Sequence, residues 1–331
     1  MIKVDNLCKD FKVQLRRSGM RGYVKDLFFR QYEIKNAVKD ISFEIKSGEI
    51  VGYIGPNGAG KSTTIKMLTG ILVPTKGQVR VGEIEPYRNR KENAKQIGVV
   101  FGQRTQLWWD IPVEESLSLI RYMYRIPVDI YEKNIKDFKD ILGLENFMKI
   151  AVRQLSLGQR MRAELACAML HNPKVLFLDE PSIGLDVVVK EKIREFIKEI
   201  NRIRQTTVIL TTHDMLDVEK LCSRVMVIDE GHIMYDGTLQ ELVNKYGSVQ
   251  TIRIEFASDN IDFAALNKMQ LPNINLDGKA LRVSYDTRKT NSLQVLDAIR
   301  NENPIIDFKV SESNTEEIIR EMYKALPSIK Q

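Results

Sequence analysis

The sequence predicts an α/β fold in which a mainly parallel sheet forms the core of a larger domain and a smaller α+β domain follows. Four short runs, 50–54, 98–101, 175–178 and 207–212, are largely apolar. Runs of this kind are typical of strands in a parallel sheet that is covered on both faces. After residue 240 the strands instead alternate between apolar and polar residues, which indicates a second domain with a half-exposed sheet.

Composition agrees with a two-domain protein. The chain has 331 residues, of which 43% are hydrophobic, and this length is typical of two domains. No segment of the sequence approaches the roughly 18 apolar residues of a membrane-spanning helix, and the first residues do not begin a secretory signal. Cys8, Cys167 and Cys222 lie far apart, so they indicate neither a disulfide framework nor a metal site. If the protein serves a membrane, the membrane-spanning part is therefore expected to be another chain.

The residues that follow the first apolar run match a phosphate-binding loop. Gly55 to Ser62 fit the pattern G-x-x-x-x-G-K-[ST], with a buried strand predicted before the loop and a helix over 61–68. Glycines let the backbone curl around a polyphosphate so that successive N–H groups point inward, at the positive end of a helix dipole. We therefore predict that Lys61 reaches the β- and γ-phosphates of a nucleotide and that the Ser62 hydroxyl binds Mg²⁺.

The run 175–178 ends in two carboxylates, Asp179 and Glu180. Ligands of parallel sheets gather at the carboxyl ends of the strands. The alternative is a strand that simply ends in acidic surface residues, and the phosphate loop in the same chain argues against it. We predict that Asp179 holds Mg²⁺, directly or through water, and that Glu180 polarises an attacking water.

Two further apolar runs also end in polar residues. The run 98–101 leads to Gln103, and the run 207–212 leads to His213. Taken singly, a glutamine at a strand end is usually a surface amide, and a lone histidine is more often structural than catalytic. Their common position indicates that both converge on one nucleotide. The guanine-specificity pattern N-K-x-D is missing, because 244–247 lacks the aspartate, and this favours ATP.

The segment 155–159, Leu-Ser-Leu-Gly-Gln, precedes a predicted helix over 161–170. A small polar residue at the start of a helix usually caps it and does nothing more. Here, however, the sequence resembles the ATP-binding cassette (ABC) ATPases over about residues 1–240. It contains six elements in the order of that family: the phosphate loop, Gln103, the signature segment 155–159, the strand ending in Asp179 and Glu180, residues 182–186, and His213.

The resemblance implies that the nucleotide is shared between two subunits. In this family the signature segment of one subunit covers the ATP held by the phosphate loop of the other, so two head-to-tail cassettes form two sites. On this chain Ser156 and Gly158 would contact the γ-phosphate of the partner's ATP. The N-terminus of the following helix would supply N–H donors.

The resemblance also implies roles for the other elements. Gln103 would sense the γ-phosphate and Mg²⁺, and Asp186 would link the two sites across the dimer. His213 would orient the γ-phosphate and water beside Glu180 as the base, while Phe11 is the best match for the aromatic residue that stacks on adenine. The implied Mg²⁺ ligands are Ser62, Gln103 and Asp179. The implied nucleotide contacts are Phe11, Gly55, Pro56, Asn57, Gly58, Ala59, Gly60, Lys61, Ser62, Thr63, Ser156, Gly158, Gln159 and Asp186.

One position departs from the family pattern. The usual signature has two glycines after the serine, and this chain has Leu157 in place of the first. Ser156 and Gly158, to which the phosphate contact is assigned, are retained. Because Glu180 and residues 184–186 are intact as well, we predict an active cassette.

Residues 104–165, approximately, are expected to form the helical subdomain that contacts the membrane subunit in transporters of this family. Apolar residues recur in it at helical spacing, among them Leu117, Ile120 and Phe138. Trp108 and Trp109 follow the glutamine loop. A tryptophan pair is more often core than contact surface, and one of the two is the candidate for lining a groove that receives a partner helix.

A basic segment, 14–36, is inserted before the strand predicted over 37–43. Its basic residues outnumber Asp26 and Glu33, and they are Arg16, Arg17, Arg21, Lys25, Arg30 and Lys35. Because aromatic and leucine residues are interleaved with them, the segment is typical of a basic amphipathic element. Two interpretations stay open: a solvated helix packed on the cassette, and a contact with a transporter partner or with lipid headgroups.

Residues 241–331 are expected to form an accessory α+β domain. The predicted order is a strand at 252–256, a helix at 261–269, a hairpin over 274–285 that turns at Asp277-Gly278, a helix at 293–299 and a strand at 306–310. This βαββαβ order resembles a ferredoxin-like domain, a fold that does not specify a function. We expect this domain to serve regulation or dimer support.

The whole arrangement most resembles the single-cassette ATPase subunits of multidrug-type exporters with separate membrane subunits. We therefore expect a peripheral protein at the cytoplasmic face of the cell membrane. Its expected partners are a second copy or a homologous cassette, and multi-spanning permease subunits; no nucleic-acid partner is expected. The alternative is a soluble ABC ATPase of translation or DNA repair. Translation-type chains carry two cassettes and chromosome-type chains insert long coiled coils, whereas fewer than a hundred residues separate Ser62 from Ser156 here.

Overall fold

The computed structural model describes residues 1–15, 31–102, 104–247, 249–258, 266, 269, 271, 273–300, 304–312 and 315–325. The chain divides into two compact units, 1–237 and 238–331; the sequence places its domain boundary at residue 240. None of the helices within the described ranges is long and apolar enough to cross a membrane.

The larger unit contains both strands and helices. They are β1 (Ile2–Leu15), β2 (Gln31–Ile45), β3 (Ile50–Ile54), α1 (Lys61–Leu68), β4 (Lys76–Val81), α2 (Arg90–Gln96), β5 (Ile97–Phe101), α3 (Val113–Tyr124), α4 (Val128–Leu142), α5 (Leu157–Met169), β6 (Val175–Asp179), α6 (Val187–Arg204), β7 (Thr207–Thr211), α7 (Met215–Leu221), β8 (Arg224–Asp229) and β9 (His232–Thr238).

A six-stranded sheet forms the centre of this unit, in the order β5-β6-β7-β3-β8-β9. The first five of these strands run parallel. Their side chains are buried on both faces: 175–178 and 208–210 are at most 1% exposed. The predicted parallel core is thereby confirmed. Because the strands are parallel, the residues that follow β3, β6 and β7 lie at one edge of the sheet.

A second, antiparallel sheet has the order β2-β1-β4 and shares its core with the parallel sheet. The pairing of β1 with β2 extends from Ile2 opposite Ile45 to Leu15 opposite Gln31. The two ends of the predicted basic insertion, 14–15 and 31–36, are therefore strand and not helix, because cross-strand pairing satisfies their backbone groups. The remainder of that insertion, 16–30, lies outside the described residues.

The region predicted as a helical subdomain contains α3, α4 and the first part of α5. Leu117, Ile120 and Phe138, which have helical spacing in the sequence, are at most 6% exposed. Trp108 and Trp109 do not take the more common core position, since 39% and 48% of their surfaces are exposed.

The smaller unit contains α8 (Leu239–Tyr246), β10 (Val249–Phe256), β11 (Asn273–Asp277), β12 (Ala280–Asp286), α9 (Ser292–Arg300), β13 (Ile305–Glu312) and α10 (Thr315–Ala325). Its strands form an antiparallel sheet in the order β11-β12-β10-β13. The hairpin turns at Asp277-Gly278 as predicted, whereas α10 is absent from the predicted elements. The helix predicted over 261–269 lies almost entirely outside the described residues, so the ferredoxin-like assignment stays a prediction.

Candidate nucleotide site

The loop Gly55–Ser62 connects β3 to α1 at the carboxyl edge of the parallel sheet. Gly58 and Gly60 have left-handed backbone conformations, with φ of 87° and 109°. A Cβ atom on Gly60 would lie 2.5 Å from the carbonyl oxygen of Ala37, so glycine alone fits there. The loop therefore leads into α1 with the free N–H groups of the first helical turn directed at the loop.

Lys61 lies within this loop and is only 6% exposed. Its Nζ donates to the carbonyl oxygens of Gly55, at 2.6 Å, and Pro56, at 3.0 Å. Burial lowers the pKa of Lys61, and the nearby charges of Glu180 and Asp179 oppose that shift. A cation with little access to water interacts strongly with a phosphate oxygen, so the position of Lys61 suits nucleotide binding.

Asp179 is the last residue of β6 and lies beside the loop. Its Oδ1 is 3.4 Å from the Ser62 hydroxyl and accepts a hydrogen bond from the Thr211 hydroxyl at 2.6 Å. Sequence reasoning misses Thr211, although this residue ends β7 directly opposite Asp179. Carboxylate and hydroxyl oxygens are the donors that Mg²⁺ prefers, so Ser62 and Asp179 fit this ion. Gln103, the third predicted ligand, lies outside the described residues.

Glu180 follows with a backbone conformation that is rare for a residue with a side chain, φ 57°. Its N–H donates to the carbonyl oxygen of Thr211 at 2.9 Å. A Cβ atom on Gly102 would approach the carbonyl oxygen of Glu180 to 2.6 Å, so the turn is packed closely on this side. Backbone strain that the surroundings hold in place is concentrated at functional sites. Here it directs the carboxylate to His213, whose Nε2 lies 2.7 Å from Oε1 of Glu180.

Two cavities meet at these residues and share Asn57, Ser62 and Glu180. The first, of about 580 Å³, includes in its lining Phe11, Gly58, Gly60, Lys61 and Thr63. The second, of about 460 Å³, includes Phe101, Asp179 and His213. Both volumes lie in the range of small-molecule sites, about 300–1,000 Å³. The structure thus brings Phe11, the phosphate loop, the two carboxylates and His213 to one place.

A third cavity, of about 680 Å³, lies between α4 and α6 and is larger than these two. Phe138, Ile200 and Arg204 are among the residues that line it. None of the predicted site residues contributes to it, so its size does not make it the nucleotide site.

The signature segment lies outside both nucleotide cavities. Ser156 is the N-cap of α5: its hydroxyl accepts from the N–H of Gln159 at 3.2 Å, and its own N–H donates to Oε1 of Gln159 at 2.9 Å. Asp186 similarly caps α6 by accepting from the N–H of Val189 at 2.9 Å. Ser156, Gly158, Gln159 and Asp186 are absent from the described linings of the two cavities. Within one chain, the structure does not bring them to the phosphate loop.

Comparison with known proteins places this geometry in a family. The family model described as "ABC transporter" matches residues 38–183. The linearmycin resistance ATP-binding protein LnrL of Bacillus subtilis (strain 168) is 35% identical over 237 residues, which are 71% of this chain and 75% of LnrL. The spermidine/putrescine import ATP-binding protein PotA of Spiroplasma citri is 33% identical over 253 residues, 76% of this chain and 71% of PotA. The chain belongs to the ABC transporter family.

The solved structures support the same conclusion for this ABC ATPase. The ATP-binding cassette MJ0796, solved as a dimer in a post-hydrolysis state with ADP and phosphate, has a TM-score of 0.60 and 27% identity. The match covers 72% of this chain and 98% of that one. The predicted family, the cassette fold and the ATPase class are confirmed.

The ABC ATPase also contains a buried polar network that no sequence motif marks. Asp217 accepts hydrogen bonds from Arg194 at 2.6 Å, from the Ser182 hydroxyl at 2.5 Å and from the Thr212 hydroxyl at 3.2 Å. Arg194 and Asp217 are 2% and 3% exposed. This network joins the segment before Asp186 to the residue before His213. The one feature of the sequence that could have indicated this network is Asp217 itself, a charged residue within the short helix α7 that follows His213.

Proposed function

We propose that this chain hydrolyses ATP with Mg²⁺ at sites shared between two copies of the chain, and that hydrolysis drives export through separate membrane subunits. The observation that carries the proposal is the 2.7 Å contact between Glu180 and His213, in a cavity that Ser62 and Asp179 also line.

The phosphate loop and β1 account for binding. The ring of Phe11 stacks on adenine, and the N–H groups of the loop and Lys61 bind the phosphates; all of these residues line the first cavity. Ser62 and Asp179 would hold Mg²⁺, and this ion would neutralise negative charge on the phosphates. Thr211 keeps the Asp179 carboxylate in position through the 2.6 Å hydrogen bond.

Glu180 and His213 account for hydrolysis. Glu180 accepts a proton from the water whose oxygen attacks the γ-phosphorus. As the new P–O bond forms, the bond between the γ-phosphorus and the bridging oxygen breaks, and its electron pair leaves with ADP. His213 holds the Glu180 carboxylate in place through its Nε2 and thereby orients the attacking water that this carboxylate binds. Proton transfer to a positioned general base contributes about 10²–10⁴-fold to the rate.

The signature segment supplies the second half of each site. Ser156 is exposed at the N-terminus of α5, where N–H groups and the helix dipole favour an anion. Because a single chain keeps this end of α5 outside its own nucleotide cavities, the γ-phosphate that it contacts belongs to the partner. The dimeric form of the solved cassette MJ0796 supports this arrangement. Asp186 then lies near the partner through its position at the start of α6.

Export and membrane attachment complete the proposal. LnrL is named for resistance, which favours export, whereas PotA is named for import. Trp108 and Trp109 are exposed at the helical subdomain and provide an apolar surface for a membrane subunit. Attachment through such a subunit places the chain at the cytoplasmic face of the membrane.

The test uses the variant Glu180→Gln, which retains ATP binding and holds the dimer closed. From gently solubilised membranes we expect this variant to copurify with a multi-spanning protein more completely than wild type does. Inverted vesicles that contain both proteins should then accumulate the transported compound when ATP is added with wild type, and not with Glu180→Gln. ATP-dependent release from loaded inverted vesicles would contradict export, and copurification of a ribosome or DNA without a membrane protein would contradict transport.

A further inference from the structure

The outer edge of β13 in the smaller unit has no partner among the described strands. The sheet order places β13 at the edge, where it pairs with β10 on its inner side. The pairing is regular from Asp307 to Glu312, and a register shift next to Asp307 leaves Ile306 without a partner on β10. Ile306, Phe308 and Val310 are 69%, 50% and 38% exposed. An exposed apolar edge strand is a template for pairing with another strand.

The exposed apolar residues of β13 continue the core layer of the sheet. Phe308 lies opposite Ile254, and Val310 lies opposite Ile252. Ile252 and Ile254 are fully buried in the core of this unit. Because residues directly opposite one another share a face of the sheet, the apolar layer that is covered at β10 continues uncovered on β13.

The other face of β13 carries two charges with unfavourable neighbours. Asp307 lies opposite Glu255, and Lys309 lies opposite Arg253. Glu255 and Arg253 pair with each other at 2.8 Å on their own strand. Like charges directly opposite one another are destabilising, so Asp307 and Lys309 would each gain from an opposite charge on the outer side.

The backbone of β13 presents its hydrogen-bonding groups outward at Phe308. On β10 the N–H of Phe256 donates toward β12, to the carbonyl oxygen of Lys279 at 2.9 Å. Backbone groups alternate along a strand, so Ile254 also bonds toward β12, and Phe308 opposite it directs its N–H and C=O away from β10. In agreement, the N–H of Phe308 donates to Oδ1 of the neighbouring Asp307 at 2.8 Å.

We propose that β13 pairs antiparallel with β13 of a second copy around a two-fold axis at Phe308. The two four-stranded sheets then join into one. In this register Phe308 exchanges two backbone hydrogen bonds with the partner's Phe308, and Asp307 faces the partner's Lys309. A shift by one residue would place Asp307 opposite the partner's Phe308 and lose both charge pairs. A shift by two would place two aspartates or two lysines opposite each other, so the charges favour this register.

This pairing is self-complementary, as a two-fold interface requires. Each copy contributes one acidic and one basic residue, and both charge pairs form together. The pairing does not depend on ATP, because every residue involved belongs to the smaller unit. An experiment that contradicts this pairing would therefore leave the proposed shared nucleotide site unaffected, and the reverse also holds.

The first experiment measures the oligomeric state of the full chain, without nucleotide, by sedimentation velocity. We expect a concentration-dependent dimer for wild type. Asp307→Lys and Lys309→Asp each turn two attractive cross-strand pairs into two repulsive ones, and each should weaken the dimer at least about tenfold. In an equimolar mixture of the two variants, a strand with two lysines faces a strand with two aspartates. Both charge pairs are thereby restored, and the mixture should dimerise as wild type does.

The second experiment traps the pairing by oxidation. Paired residues that exchange hydrogen bonds have Cα atoms about 5.5 Å apart, which is within the reach of a disulfide. In a Cys8→Ser background, Phe308→Cys should therefore form a crosslinked dimer, whereas Asp297→Cys, exposed on α9, should not. A nucleotide-free wild type that stays monomeric at about 0.1 mM and gives no Phe308→Cys crosslink would overturn the proposal. Single charge variants that dimerise as strongly as wild type would do the same, and normal ATP binding by each variant shows that it is folded.

Discussion

The proposed nucleotide site has two halves, and the structure of one chain brings together the residues of only one of them. Four residues of the first half lie at or just beyond the carboxyl ends of strands of one parallel sheet, and they line two adjoining cavities. They are Lys61, Asp179, Glu180 and His213. The signature segment, in contrast, lies at the exposed start of α5 with its polar groups bonded to each other. The sheet fixes the first half within the chain, whereas the proposed second half would act only where α5 is placed against another subunit.

The difference extends to what holds each half in position. Main-chain pairing and packed glycines position the phosphate loop. Buried polar contacts along the helix position α5. Glu164 accepts hydrogen bonds from the Thr105 hydroxyl and from the N–H of Gln106. Burial raises the pKa of Glu164. At the far end, His171 donates from Nε2 to the carbonyl oxygen of Ile97 at 3.0 Å and stacks on Tyr124. Changes to each half should therefore have separable effects.

The largest effect is expected from the base of the first half. Glu180→Gln removes the proton acceptor but keeps the shape of the side chain, so turnover should fall by about 10²-fold or more while ATP still binds. Steady-state phosphate release and a nucleotide-binding titration measure the two quantities. Glu195→Gln, on the exposed side of α6, is the control and should leave both unchanged. Wild-type turnover in Glu180→Gln would remove Glu180 from its proposed role.

The second half is tested by mixing two inactive variants. Lys61→Ala damages phosphate binding in its own chain, and Ser156→Arg blocks approach to the partner's ATP while its own phosphate loop still binds. Each variant alone should lose nearly all ATPase activity. In a mixed dimer, one site has an intact phosphate loop and an intact signature, so activity should partly return. Loss of ATP binding in monomeric Ser156→Arg would place Ser156 in the site of its own chain and contradict the arrangement.

Low pH should destabilise the folded protein through His171, which packs next to the C-terminal end of α5. Burial lowers the pKa of this side chain from 6.5 to about 4. As pH falls, the unfolded chain takes up the proton first, so stability is complete above about pH 6.5 and decreases toward pH 4. The loss amounts to at most about 3 kcal/mol in the free energy of unfolding.

Urea unfolding at several pH values measures this decrease. His171→Phe keeps a ring against Tyr124 but carries no proton, so its stability should depend less on pH between 6.5 and 4 than that of wild type. His232→Phe is the matched control and should keep the wild-type slope. An unchanged slope in His171→Phe would show that another group causes the acid sensitivity.

The sequence predicts which residues of the first half lie close together, because their determinants are local. A glycine loop between an apolar run and a helix, or two carboxylates at the end of such a run, specifies both structure and chemistry within a few residues. The parallel order of the strands then brings these local features together. Phe11 is found only through resemblance to the family, since nothing near it in sequence indicates that β1 lines the cavity.

The features that sequence reasoning misses depend on distant partners. Asp217 has no motif, and its role arises from contacts with Arg194 and Ser182, which lie more than twenty residues away. The strand at 31–36 exists because β1 offers it a pairing edge, although its composition agrees equally with an amphipathic helix. The exposure of Trp108 and Trp109 likewise follows from packing and not from residue type.

The smallest effect concerns Gln159, to which family resemblance assigns a nucleotide contact and to which the structure gives a capping contact. If capping is its role, Gln159→Ala should lower stability by about 1 kcal/mol and reduce turnover only slightly. Gln159→Glu restores the reciprocal cap, because glutamate accepts the same N–H of Ser156, and should recover the stability. Thermal unfolding and ATPase assays on both variants measure this.

The equivalent cap in the smaller unit serves as a control, because it shows how much stability such a cap contributes away from the nucleotide site. Thr238 and Glu241 form the same reciprocal hydrogen bonds at α8, so Glu241→Ala should cost a similar amount of stability without affecting turnover. In Gln159→Glu, the added negative charge separates the two roles. If Gln159 faces only its own helix, turnover stays close to that of wild type. If its side chain approaches the partner's γ-phosphate, repulsion between the carboxylate and the phosphate lowers turnover although the helix is as stable as before.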